Sequence, residues 1–187
     1  MLSTIPLHLK QLCFGILGTV SRPISILTGI IFLITIMAIA EQPWVVSEDG
    51  AGPMKIGMTV VQLNTVLHEK FRKPAAKEDQ ACFYLEPQKQ PLVKLMIEDG
   101  RLSRIDVNGR GVKTSTGIQV GDTEKHARQI YGSKLKVEPH KYIDNGHYLT
   151  ARSSDRKYGI RFETEDGKIT SYYAGRFESI QYVEGCL

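Results

Sequence analysis

Two short phrases occur twice along this chain, and the spacing between the copies is nearly constant. Residues 56–59 read Ile-Gly-Met-Thr, and residues 120–123 read Val-Gly-Asp-Thr, 64 positions later. Residues 98–102 read Glu-Asp-Gly-Arg-Leu, and residues 165–169 read Glu-Asp-Gly-Lys-Ile, 67 positions later. Self-similarity at a fixed period is typical of a duplicated supersecondary unit. The duplication predicts an architecture and leaves the chemistry open.

The first phrase of each copy predicts the start of a helix. Thr59 is a predicted N-cap, and Gln62 three residues later completes a capping box. Thr123 takes the same place in the second copy, with the acidic Glu124 in the first turn. The basic residues Lys70, Arg72 and Lys73 suit the C-terminal end of the first helix, and Pro74 predicts where it stops. Each unit therefore opens with a helix.

The second phrase of each copy predicts a tight turn between two strands. Asp-Gly at residues 99–100 and 166–167 separates runs in which apolar and polar residues alternate, a strong hairpin signal. The predicted strands are 82–85, 93–97 and 103–107, then 147–150, 158–162, 169–173 and 180–183.

These elements together predict an α+β fold with two tandem repeats, each a helix followed by about three antiparallel strands, packed as one domain. Repeat 1 spans residues 54–114 and repeat 2 spans residues 115–187. Residues 41–53 are rich in turn formers and lack a period, which predicts a linker.

Residues 55–63, Lys-Ile-Gly-Met-Thr-Val-Val-Gln-Leu, resemble the helix start of the β-lactamase-inhibitor-protein group. That group includes tandem-repeat secreted inhibitors and small lipoproteins of the outer-membrane assembly machinery. The resemblance implies a helix followed by antiparallel strands, carried twice as in the inhibitors. The second copy departs from the phrase, with Asp122 in place of Met, and neither the inhibitors' disulfide within each repeat nor the lipoproteins' lipidated cysteine is matched. The resemblance therefore implies a fold and transfers no inhibitory contact residue.

The N-terminus has the layout of a secretory signal peptide. Lys10 and Arg22 precede an apolar run over residues 24–37, and Ala-Ile-Ala follows at residues 38–40. This order predicts that residues 1–40 are a signal peptide cleaved after Ala40. The alternative is an uncleaved anchor over residues 24–40, whose 17 residues lie at the lower limit for a membrane span. Either reading predicts a periplasmic or secreted domain, or one held on the outer side of a membrane.

The charge of the exported part excludes one large class of partner. Loss of Lys10 and Arg22 with residues 1–40 lowers the net charge from +4 to +2. A net charge this close to zero is not typical of a nucleic-acid-binding protein. A membrane is an expected partner only if residues 24–40 remain uncleaved.

Two cysteines, Cys82 and Cys186, remain after residue 40. An even pair in an exported chain is typical of a disulfide. Such a bond closes a loop of about a hundred residues, worth roughly 4 to 5 kcal/mol in the chain-entropy model. Two free thiols or half of a metal site are the alternatives, and the absence of CxxC spacing disfavours zinc.

The densest group of reactive side chains is His140, Tyr142, Asp144 and His147, of which the two histidines and the aspartate are candidate metal ligands. Two imidazoles and a carboxylate suit a metal ion, although their spacing fits no zinc signature and residues 144–146, Asp-Asn-Gly, favour a turn. We therefore expect no metal and no cofactor, and keep an envelope hydrolase or metal-dependent enzyme using these three residues as the alternative function.

The favoured function is a non-enzymatic binding module of the bacterial cell envelope that recognises a protein or glycan partner. Tyrosine is enriched where proteins bind partners, and the second half of the chain is rich in it. The candidate contact residues are Tyr142, His147, Tyr148, Tyr158 and Tyr172.

Overall fold

The structure is a computed structural model that describes residues 44–77 and 80–186. The described residues belong to one compact unit. The predicted signal peptide or anchor lies outside the described residues. No helix among those that are described is long and apolar enough to cross a membrane.

Most of the described chain is β-structure arranged in two sheets. The small sheet has the order β3-β2-β1-β7, with β1 parallel to β7 and the other pairs antiparallel. The large sheet is antiparallel throughout, with the order β4-β5-β6-β11-β10-β9-β8. The strands are β1 Val45–Ser47, β2 Gly50–Ala51, β3 Met54–Lys55, β4 Cys82–Leu85, β5 Val93–Glu98, β6 Arg101–Val107, β7 Lys113–Thr114, β8 Leu135–Pro139, β9 Gly146–Arg152, β10 Tyr158–Glu165 and β11 Lys168–Arg176.

The described part of the chain also contains two α-helices of eight residues each, α1 (Val60–Leu67) and α2 (Glu124–Tyr131). Thr59 and Thr123 are their N-caps, as predicted, and Gln62 completes the capping box at α1. The first helix ends earlier than predicted because His68 adopts a left-handed conformation, so the basic residues before Pro74 lie beyond it.

The predicted α+β fold of two helix-plus-strand repeats is wrong. The chain is mostly β, and strands from both halves share one seven-stranded sheet instead of forming two separate units. The physical reason is that β6 and β11, the return strands of the two predicted hairpins, pair with each other along residues 104–107 and 172–175. Ladder hydrogen bonds across this pair satisfy two strand edges that separate repeats would leave open.

The repeated phrases have equivalent local roles within this sheet. The Gly57 N–H donates to the Leu102 carbonyl at 2.7 Å, and the Gly121 N–H donates to the Ile169 carbonyl at 2.8 Å. Both hydrogen bonds tie the start of a helix to the return strand of a hairpin. The Asp-Gly turns of those hairpins have positive φ at both residues, as a type I′ turn requires.

Three segments differ from the predicted elements. Residues 44–53, within the predicted linker, include β1 and β2 and bury Val46 and Ala51 in the core. Residues 179–181 form a short 3-10 helix where a last strand was expected. Strand β8 was not predicted. Its alternation of apolar and polar residues is short, and it directly follows Gly132 and two polar residues, which favour a loop.

The core lies between one face of the large sheet and the two helices with the small sheet. Phe162 is fully buried there, with its ring 5.7 Å from the rings of Tyr131 and Tyr172. Tyr172, a predicted contact residue, is itself fully buried and donates its hydroxyl to the Val112 carbonyl. Tyr172 therefore cannot contact a partner at the surface, because it lies in the core.

We expect Phe162→Ala to lower the free energy of unfolding by about 3 to 5 kcal/mol, because it removes a large buried ring and leaves a cavity. Urea unfolding of the variant and the parent measures the loss. Val61→Ala is the matched control, since Val61 is an exposed residue of α1. A loss for Phe162→Ala as small as that of the control would contradict this placement of the core.

Candidate binding surface on the polar face of the sheet

The two faces of the large sheet differ sharply in chemistry. Alternate residues of each strand point to opposite faces, and cross-strand pairs share a face. The pairs Tyr84–Met96, Met96–Arg104, Asp106–Tyr173, Tyr173–Arg161 and Glu163–Tyr148 continue from β4 to β9. We call the face that they form the polar face, because it carries charged and aromatic side chains where the opposite face carries the apolar core.

Arg104 and Asp106 form a buried ion pair at the middle of the polar face. Arg104 Nε lies 2.7 Å from Asp106 Oδ1, and Nη2 lies 2.9 Å from Oδ2, a bidentate geometry. The guanidinium also lies over the Tyr173 ring, 4.4 Å from its centre. Only 4% of Arg104 is exposed. Burial raises the pKa of the Asp106 carboxyl, and the nearby guanidinium opposes that rise.

Tyr84 joins this ion pair from β4. Its hydroxyl accepts from Arg104 Nη2 at 2.9 Å and donates to Asp106 Oδ2 at 3.1 Å. Burial and the adjacent Asp106 carboxylate raise the pKa of Tyr84 to about 12, so the hydroxyl remains protonated at neutral pH. Tyr84 is therefore a hydrogen-bond donor on this face.

A second group of stacked side chains comes from β9, from β10 and from His140, which follows β8. The Arg161 guanidinium lies 4.2 Å from the centre of the Tyr148 ring, and the His140 ring stacks on Tyr148 at 4.3 Å. Arg161 is 5% exposed, and its Nε has no partner among the described residues. Tyr148 is a predicted contact residue, and its ring is covered in this stack.

The C-terminal segment covers both arginines. We call residues 177–186 the strap. Arg104 Nη1 donates to the carbonyls of Ser179 and Tyr182, at 3.2 and 2.9 Å. Arg161 Nη1 donates to the carbonyls of Ile180 and Gln181, at 3.3 and 3.4 Å. The guanidinium groups therefore satisfy the carbonyls at the end of a short 3-10 helix that crosses the polar face.

A disulfide joins the end of the strap to β4. Cys82 and Cys186 are bonded, with their Cα atoms 5.4 Å apart and with a separation of 104 positions in sequence. The predicted pairing is confirmed. The bond fixes the last part of the strap beside Tyr84, two residues along β4 from Cys82.

A groove of about 190 Å³ remains open between the strap and the polar face. It is lined by Tyr84, Arg104, Asp106, Asn108, Glu163, Ser171, Tyr173, Val183 and Glu184. The Glu163 carboxylate accepts from the Tyr173 hydroxyl at 3.0 Å and from the Ser171 hydroxyl at 3.2 Å. The groove therefore presents carboxylates, tyrosine hydroxyls and a guanidinium, with little apolar surface.

One edge of the groove carries the exposed aromatic side chains. Tyr142 is 58% exposed and Tyr182 is 44% exposed, and the other six tyrosines are more buried. The Tyr142 hydroxyl donates to Glu184, and Tyr182 and Glu184 line a shallow cleft with Lys141. We call Lys141, Tyr142, Tyr182 and Glu184 the rim. Tyr142 was predicted from the sequence, whereas Tyr182 lay in an expected strand and was missed.

The three predicted metal ligands do not form one metal-binding group among the described residues. His140 Nδ1 accepts from the Tyr142 N–H at 3.1 Å, so Nε2 carries the proton and lies 3.7 Å from Glu163 Oε2. His147 Nδ1 lies 3.0 Å from Glu124 Oε2, and Asp144 is exposed in a turn. Within residues 44–77 and 80–186, no group of three or more His, Cys, Asp or Glu side chains could hold a metal ion.

Glu124 organises a polar cluster that the sequence did not reveal. One carboxylate oxygen accepts from Arg128 Nε at 2.8 Å, and the other accepts from the Thr164 hydroxyl at 3.1 Å and contacts His147. Burial raises the pKa of Glu124, but the hydrogen bonds from Arg128, His147 and Thr164 outweigh it and leave the pKa below its usual value. The available signal was an acid and a base four residues apart on a helix. The cluster fastens α2 to the sheet.

A second cleft, of about 390 Å³, lies between α2 and the turn that joins β9 to β10. Its charged side chains are Glu48, Lys134 and Arg152. Arg152 is already engaged, because it stacks on the Phe177 ring at 3.8 Å and donates to the Arg156 carbonyl. This cleft is larger than the groove, but it lacks an exposed aromatic ring at its edge, so we favour the polar face as the site. The remaining predicted contact residue, Tyr158, is half-buried at the start of β10.

No protein-family model matches this sequence, and no curated protein or solved structure matches it either.

We expect Arg104→Ala to lower the free energy of unfolding by about 3 to 5 kcal/mol, because it leaves the Asp106 carboxylate buried without its partner. Arg104→Lys should recover little of this, since an ammonium cannot form the bidentate pair. Urea unfolding measures both, and Arg110→Ala at an exposed position is the control. Equal stability of the Arg104→Ala and Arg110→Ala variants would contradict the described ion pair.

We expect Glu124→Gln to lower the free energy of unfolding at pH 7, and we expect the difference from the parent to shrink as the pH falls. The pKa of Glu124 is lowered by folding, so its stabilisation is present above the unfolded-state pKa and disappears as the pH falls through the folded pKa. Unfolding free energies of the variant and the parent between about pH 7 and pH 3 test this. Glu165→Gln at the exposed end of β10 is the control. A difference in unfolding free energy that stays constant or grows toward pH 3 would show that the Glu124 carboxylate is not stabilised by these hydrogen bonds.

Proposed function

We propose that this chain is an exported, non-enzymatic binding module of the cell envelope, and that its rim and groove recognise a protein partner. The main support for this proposal is that the two most exposed tyrosines of the described residues, Tyr142 and Tyr182, lie on the same edge of one polar groove. Tyrosines combine a large apolar ring with a hydrogen-bonding hydroxyl, and they are enriched among the residues that dominate binding energy.

The charges of the rim support a protein partner. Lys141 and Glu184 flank the tyrosines with opposite signs, and the groove behind them holds the Glu163 carboxylate. A surface that alternates cation, anion and aromatic ring matches the mixed side chains of another protein. A glycan would use the same hydroxyl and carboxylate groups, and the experiment below separates the two.

Export is supported by the disulfide and by the N-terminal sequence. Disulfides persist in oxidising compartments and are rare in the cytosol, and Cys82 and Cys186 are bonded. Residues 1–40 carry the basic, apolar and small-residue order of a signal peptide. These two features support a periplasmic or secreted location, with a membrane anchor as the alternative if residues 24–40 are retained.

The resemblance of residues 55–63 to the inhibitor-protein group agrees with a binding role and stays a prediction. We favour the binding role over the alternative enzyme because the His140 and His147 side chains have separate carboxylate neighbours, and Asp144 contacts neither imidazole among the described interactions.

We expect the double variant Tyr142→Ala with Tyr182→Ala to lose a binding partner that the parent chain retains. Immobilised full chain is incubated with cell-envelope extract, and bound material is quantified by mass spectrometry. Loss of two interface tyrosines should weaken capture by at least about 10-fold. The control is Val61→Ala, an exposed substitution on α1, which should capture the same partner as the parent.

Treatment of the extract identifies the class of partner. Capture that disappears after proteolysis of the extract and survives glycosidase treatment supports a protein. Capture that survives proteolysis points to a glycan, and capture unaffected by the double variant would refute the rim as the binding surface.

A further inference from the structure

The strap has two parts that are held in different ways. Its inner part, residues 177–182, is anchored by the fully buried Ile180 and by four carbonyl contacts to Arg104 and Arg161. Its outer part, residues 183–186, makes no backbone hydrogen bond among the described residues. The described polar attachments of the outer part are the Tyr142–Glu184 hydrogen bond and the disulfide.

The outer part also forms one wall of the groove. Val183 and Glu184 line the groove on one side and the shallow cleft of the rim on the other. Gly185 has positive φ and passes so close to the Tyr84 hydroxyl that a Cβ would collide with it. Displacement of residues 183–186 would therefore enlarge the groove and expose Tyr84 and the Nη2 edge of Arg104.

We propose that the Cys82–Cys186 disulfide is a redox-controlled clasp that holds residues 183–186 over the groove, and that its reduction opens the groove while the rest of the fold persists. Both cysteines are partly exposed, which gives a reductant access. This inference concerns the chain itself and does not depend on the proposed partner.

The reductant is a protein or small molecule with two thiols. One of its thiolates attacks a sulfur of the Cys82–Cys186 bond and forms a mixed disulfide, and its second thiolate then resolves that bond. The chain gains two electrons and two protons as two thiols, and the reductant leaves as a disulfide. Oxidation by a dithiol-disulfide oxidant reverses the step and closes the clasp.

A purely structural disulfide makes a different prediction. In the chain-entropy model a cross-link over 104 residues acts on the unfolded ensemble, so its reduction lowers global stability and leaves the native surface unchanged. A clasp instead changes the native surface locally. The two roles are therefore separated by a probe of side-chain exposure in the folded protein.

Hydroxyl-radical footprinting of the full chain provides that probe. One sample keeps the disulfide, and the other is reduced with a dithiol, blocked with iodoacetamide and freed of reagent. We expect the oxidation rate of Tyr84 to rise by at least about 3-fold on reduction, as local opening requires. Tyr172, buried in the core beneath the opposite face, is the internal control and should not change.

Two variants test the effect of the disulfide on Tyr84 without reduction or alkylation. Cys82→Ser with Cys186→Ser should reproduce the higher Tyr84 rate, and Tyr142→Phe, which keeps the disulfide, should not. An unchanged Tyr84 rate in the reduced chain would overturn the clasp and leave a structural bond. A parallel rise at Tyr172 would overturn it too, because the disulfide would then maintain the whole fold.

Discussion

The antiparallel pairing of β6 with β11 makes one sheet out of two hairpins, and the polar face, the strap and the groove are all built on that sheet. The pairing joins the hairpin of the first half to the hairpin of the second, over only four residue pairs. Gly175 allows this approach, because a Cβ at that position would collide with the Ser103 carbonyl oxygen. The pairing also sets Tyr173 opposite Asp106, so the polar face exists only when the two halves share one sheet.

Once the sheet is formed, the buried arginines determine what covers it. A guanidinium has five donors, and a buried donor without a partner is costly. Asp106 and Tyr84 take the Arg104 donors on one side, and the strap carbonyls take the rest. The C-terminal segment therefore completes the electrostatics of the face, and the groove and its tyrosine rim are the surface that remains open beside it.

Local features could be predicted from the sequence, and long-range ones could not. The N-caps at Thr59 and Thr123 and the Asp-Gly turns depend on neighbouring residues, and the structure confirms them. Arg104 is buried against the Ser179 carbonyl, which is 75 residues away in sequence. Nothing near Arg104 in the sequence indicates this contact, so an exposed, hydrated side chain is what the sequence predicts. Tyr172 and Tyr173 are adjacent, and alternation alone does not show which of them faces the core. The pairing of β6 with β11 has no local signal either, which is why the predicted two-repeat fold failed.

The proposed function requires that the rim beside the polar groove contacts a protein partner. Its most direct test is photo-cross-linking from single positions in the full chain, with a photoreactive amino acid replacing either Tyr182 at the rim or Ile130. Both side chains are similarly exposed, but Ile130 borders the cleft beside α2. We expect a cross-linked partner from position 182 and none from position 130. A cross-link to that partner from position 130 alone would contradict this expectation and move the binding surface to the α2 cleft.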